Sequence, residues 1–68
     1  MSETPTRENV MAARAAVLVA RAAYRRGEMT LTEVYAVVDR YIALTQARAT
    51  ALGLMTRRPS RGYLIRAL

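Results

Sequence analysis

Tyr24-Arg25-Arg26-Gly27-Glu28-Met29-Thr30-Leu31-Thr32-Glu33 is the stretch on which the fold turns. Gly27 can take the left-handed backbone conformation that ends a helix, since it has no Cβ to clash there. Thr30 and Glu33 have the spacing of a capping box. The Thr30 hydroxyl accepts from the Glu33 backbone N–H, and the Glu33 side chain reaches back to the Thr30 backbone. Between that stop and that start only a tight turn fits, and so short a connection makes helices antiparallel neighbours. The expected architecture is all-α: an antiparallel hairpin of two helices of about 22 residues, each ~33 Å long at 1.5 Å per residue.

Working outward, the first helix is expected to begin with Thr4 as N-cap and Pro5 at its first position, where the missing N–H is harmless. It is alanine-rich and free of Gly and Pro through Arg26. Val10, Val17 and Tyr24 recur every seven residues as its expected core or interface ridge. Its polar stripe is narrow: Arg7, Arg14 and Arg21, with Arg25 one turn on. That stripe reads either as the single wet face of the helix or as a site for phosphate or an acidic protein. A helix apolar on most of its circumference needs neighbours on more than one side. The hairpin is therefore expected to complete its core by dimerising or by docking on a partner.

The second helix is expected from Leu31 to about Leu52, before a second stop at Gly53. Its apolar ridge is Leu31, Val34, Val38, Tyr41, Thr45 and Leu52, widened by Tyr35, Val37, Ile42, Leu44 and Ala49. Val34, Val38 and Tyr41 are its chief core or interface candidates. Glu33, Asp39 and Arg40 read as ordinary solvated charges. Beyond Gly53, Leu54 to Gly62 has no period and reads as loop. Tyr63 to Leu68 is apolar but too short to assign. The chain thus divides into a hairpin, 1–53, and an arginine-rich arm, 54–68.

With 68 residues, no Cys and no His, the chain lacks disulfides, thiolate ligands and the commonest zinc ligand and general base. Ser–His–Asp and Cys–His chemistry is excluded, and no glycine-rich phosphate loop is present. No enzyme activity, metal, cofactor or small-molecule substrate is expected. Residues Ala49–Thr56 form the longest uncharged run, far short of the ~20 apolar residues a spanning helix needs. No membrane segment and no cleavable signal are expected, and the location expected is the cytoplasm or the interior of a phage particle.

The charge is uneven. Residues 1–39 carry five arginines and five acids, so the whole formal excess of +6 lies from Arg40 onward, and every basic residue is Arg. Short basic arms interleaved with aromatic residues bind nucleic acid or an acidic protein groove. Arg48, Arg57, Arg58, Arg61, Tyr63 and Arg66 are the expected binding residues for either partner, with a protein partner the main expectation.

Met11-Ala12-Ala13-Arg14-Ala15-Ala16, Leu31-Thr32-Glu33-Val34 with Arg40-Tyr41-Ile42-Ala43-Leu44, and Gly53 to Pro59 with Gly62-Tyr63 give the chain a resemblance to phage head–tail joining proteins of the lambda W type. The resemblance implies a non-enzymatic assembly protein of phage or mobile-element origin. It also implies a β-hairpin between the helices, for which Gly27–Thr30 leaves no room. Glu28-Met29-Thr30, Glu33, Asp39-Arg40 and Pro59-Ser60 also resemble the Hha/YmoA nucleoid modulators, which implies a small DNA-associated regulator. Ala23 to Thr30 is similar to repeats of outer-membrane efflux proteins. A helical inhibitor of another protein is the third functional class.

Overall fold

A computed structural model describes residues 4–54 and 58–67. It contains three helices: α1 (Arg7–Arg25), α2 (Leu31–Ala51) and the short α3 (Arg61–Ala67), with no strand among the described residues. The two long helices pack as the antiparallel hairpin expected from the turn. Their lengths, ~28 and ~31 Å, account for most of the 39 Å long axis.

The turn is closed from both sides. Gly27 has φ +76°. Its N–H donates to the Tyr24 carbonyl at 3.0 Å, and the Glu28 N–H donates to the Ala23 carbonyl at 2.8 Å. These are the paired bonds of a Schellman stop, which satisfy carbonyls the helix end would otherwise leave bare. Gly53 repeats the arrangement at the end of α2: φ is +71°, its N–H reaches Thr50, and the Leu54 N–H reaches Ala49 at 2.8 Å. At the start of α2 the Thr30 N–H donates to Glu33 Oε1 at 3.0 Å, and the Glu33 N–H donates to Thr30 Oγ1 at 3.2 Å.

The start of α1 differs from expectation. The N-cap is Thr6, not Thr4, and Pro5 lies outside the helix. The residue three beyond Thr4 is Arg7, a donor only, which cannot accept the reciprocal bond of a capping box. The residue three beyond Thr6 is Asn9, whose Oδ1 accepts from the Thr6 N–H at 3.1 Å while its own N–H reaches Thr6 Oγ1 at 3.0 Å. Satisfying two orphan donors outweighs the advantage of Pro at the first position.

The core is Val17 and Ala20 of α1, Val34, Val38 and Ile42 of α2, and Leu64 of α3, with Met29, Val37, Tyr41 and Ile65 packed against it. Of the ridge residues expected from sequence, Val17, Val34 and Val38 are fully enclosed, while Val10 and Tyr41 are half-buried. Tyr24 is 43% exposed, as are Leu31 at 40% and Leu52 at 54%. Tyr24 and Leu31 sit either side of the turn and Leu52 at the opposite end, so each occupies a terminal turn of its helix with less of the facing helix over it. Alanines make up much of the buried side of α1: Ala13, Ala20 and Ala23 are all buried. Thr45, on the apolar ridge, turns its hydroxyl onto the Tyr41 carbonyl at 2.8 Å and so carries no unmet donor into that surface.

The segment past Gly53 also departs from expectation. Ser60 caps a helix there: its Oγ accepts from the Tyr63 N–H and its carbonyl from the Leu64 N–H, each at 3.1 Å. Seven residues are too few for a helix stable in isolation. Leu64, only 6% exposed, ties this one into the core of the hairpin, so α3 is packed on α2 and is not held clear of it.

Two outcomes follow from this packing. At Gly27 an added Cβ would meet nothing within 4 Å, so Gly27→Ala should cost only the left-handed backbone strain, about 1 kcal/mol, read by urea melts. Leu64→Ala removes a core side chain and should cost about 2–3 kcal/mol; in a domain this small that is enough to leave a substantial unfolded fraction by circular dichroism.

Candidate functional site

Each helix distributes its arginines differently, and their partners sort them. Arg48, on the last turn of α2, is half-buried and donates Nη1 to the Pro5 carbonyl at 3.2 Å, joining the segment before α1 to the far end of α2. Arg61 grips Asp39 with both arms of its fork, Nε to Oδ1 at 2.7 Å and Nη2 to Oδ2 at 2.9 Å. Its guanidinium also lies 5.2 Å from the centre of the Tyr35 ring. The Asp39 bonds and charge push the Arg61 pKa upward, and the same two bonds link α3 to α2. Arg26 pairs with Glu28 at 3.0 Å beside the turn.

Of the residues picked from sequence for partner binding, Arg48 therefore has one nitrogen and Arg61 two engaged within the chain. Arg58, Tyr63 and Arg66 are exposed. Tyr63 and Arg66, three apart on α3, share its outward face, opposite Leu64. Arg57 lies outside the described residues. Asp39, read from sequence as a solvated charge, is half-buried and is the anchor of α3. No local spacing signals that contact, because its partners are 22 residues apart.

Among the described residues, three of the four acids are used internally. Glu28 is paired with Arg26, Glu33 closes the α2 cap and Asp39 holds Arg61. Among the described residues, only Glu8 remains to balance Arg7, Arg14, Arg21, Arg25, Arg40, Arg58 and Arg66, none of which has an ion-pair partner. The surface that results is strongly cationic. An open groove of about 690 Å³ runs between α1 and α2, walled by Ala12, Ala16, Val37 and Leu44, with Asn9 and Arg40 as its polar groups. Such a groove can seat an apolar side chain beside a carboxylate; it holds no acid and no nucleophile.

Among the described residues, no cluster of three or more acids could hold a metal ion, and no helix is long and apolar enough to cross a membrane. No family model, curated protein or solved structure matches this chain.

The Glu33 carboxyl is held below its usual value of 4.5, first by the Thr30 backbone N–H and then by the Thr30 hydroxyl. A lowered folded-state pKa stabilises the fold above the unfolded value and loses that contribution as pH falls through the folded one. Wild type should therefore lose thermal stability as pH drops below 4.5, and Glu33→Gln should show a smaller drop over the same window. For the α3 clamp, Asp39→Asn should speed hydrogen exchange at Leu64 and Ile65, by less than about tenfold since exposed ion pairs contribute little. Exchange at Val38 should be unchanged.

Proposed function

We propose that this chain is a small non-enzymatic adaptor that docks on an acidic surface of a partner protein within a larger assembly. The observation that carries this reading is the charge surplus left after internal pairing. Among the described residues, the domain uses three acids to cap, turn and clamp itself and leaves seven arginines without an ion-pair partner, five of them exposed, with Glu8 the one remaining acid. Arginine presents planar donors suited to carboxylates, and complementary potential both steers and selects a partner. Exposed Met11, Leu18 and Val19 add apolar area that a protein partner can bury. The phage-assembly setting rests on the resemblance to head–tail joining proteins, whose β-hairpin the short turn between α1 and α2 does not provide.

A DNA-associated role is the second reading, and Arg58 and Arg66 favour it. Both are exposed and have no hydrogen-bond or ion-pair partner among the described residues, with Tyr63 close by in sequence. The two readings separate on salt and nuclease. Capture on the tagged full chain from nuclease-treated native lysate should retain an acidic protein that elutes with salt. If duplex DNA were the partner, log K should fall steeply with log salt, and replacing Arg58 and Arg66 with Ala should flatten that slope by about 1.8. Such a slope, together with loss of every captured protein on nuclease treatment, would replace the adaptor with the regulator.

A further inference from the structure

α1 gives α2 only one side. Its buried line is Ala13, Val17, Ala20 and Ala23. A second line, Met11, Ala15, Leu18 and Ala22, runs along the outer side with spacings of four, three and four, the pattern by which one helix meets another. It is uncovered: Met11 is 49% and Leu18 37% exposed. A row of arginines, Arg7, Arg14, Arg21 and Arg25, runs beside this line one step round the helix. None has an anionic partner among the described residues. Arg7 and Arg25 are exposed, and Arg14 and Arg21 half-buried; Arg21 Nη1 is shielded from solvent and has no acceptor among the described residues, which costs free energy.

We propose that this outer face of α1 is a docking surface for an acidic amphipathic helix of a partner protein, with apolar residues on the Met11–Leu18 line and carboxylates against the arginine row. The proposal rests on the adaptor reading and names the surface it uses. A second copy of the chain is the wrong occupant, because a formal charge of +6 meets the same charge and the self-paired face supplies only Glu8 as an acid. A lipid surface fits poorly, since the chain has neither Trp nor Phe to anchor in the interface. Phosphates would satisfy the arginines but leave Met11 and Leu18 in water. An acidic helix satisfies both rows at once. The contact from Met11 to Ala22 is about 17 Å long, three turns, which places the interaction among small, salt-sensitive interfaces.

The test is fluorescence anisotropy with the full chain. The probe is a labelled 21-residue synthetic helix with Leu at the first and fourth positions of each heptad and Glu at the flanks, about three heptads in all. Leu18→Glu lies on the surface, so its melting curve should match wild type while probe binding weakens about tenfold or more. Arg25→Gln should weaken binding and reduce its salt dependence. The pair Arg58→Gln and Arg66→Gln should leave binding unchanged. Binding indifferent to Leu18→Glu and Arg25→Gln but lost with the Arg58 and Arg66 changes would overturn this face and leave the adaptor reading standing. Failure of the wild type to bind the probe, with Leu18-dependent binding to anionic vesicles or duplex DNA instead, would overturn both the partner class and the adaptor reading. Failure to bind any of the three would also overturn both.

Discussion

Five residues, Arg26 to Thr30, carry the constraint on which everything else in this molecule depends. A Schellman stop at Gly27 and a capping box at Thr30 satisfy the exposed groups of two helix ends almost back to back. With both ends satisfied, the connection has no slack and the helices can only run alongside each other. That alignment brings Val17 and Ala20 against Val34 and Val38 and gives α3 a surface to close over. The same turn explains why the tips remain uncovered: Tyr24 and Leu31 lie where neither helix extends beyond the other.

Such a turn is readable in the sequence because its information is local. Each bond in it spans five residues or fewer, and each residue type has one strong reason to be there. The start of α1 is nearly as legible, but its position depends on whether the third residue can accept a bond; Asn9 can and Arg7 cannot. Legibility declines with distance along the chain. The contact of Arg61 with Asp39 depends on α3 folding back, and α3 is too short for any period to announce it. Ser60 was the available signal, a capping residue directly ahead of Arg61-Gly62-Tyr63-Leu64. Among the expected binding residues, Arg58, Arg61, Tyr63 and Arg66 are exposed and Arg48 is half-buried, and Arg48 and Arg61 also hold long-range contacts that no local pattern encodes.

Electrostatics ties the fold to the proposed role. The acids sit where they stabilise structure, one at a cap, one at the turn and one at the α3 clamp. Arginines on α1 have no such employment. Folding therefore sorts the charges: Glu28 and Asp39 are each matched to one arginine, and the formal excess of +6 stays with the arginines that have no such match.

The bond from Arg48 to the Pro5 carbonyl sits at the end of the hairpin away from the turn. Together the turn and this bond fix the relative register of α1 and α2 at both ends. One residue inserted in either helix would rotate everything beyond it by about 100° and pull the far attachment out of reach. Homologous descent with length variation should consequently favour paired changes, a near-whole number of turns gained or lost in both helices together.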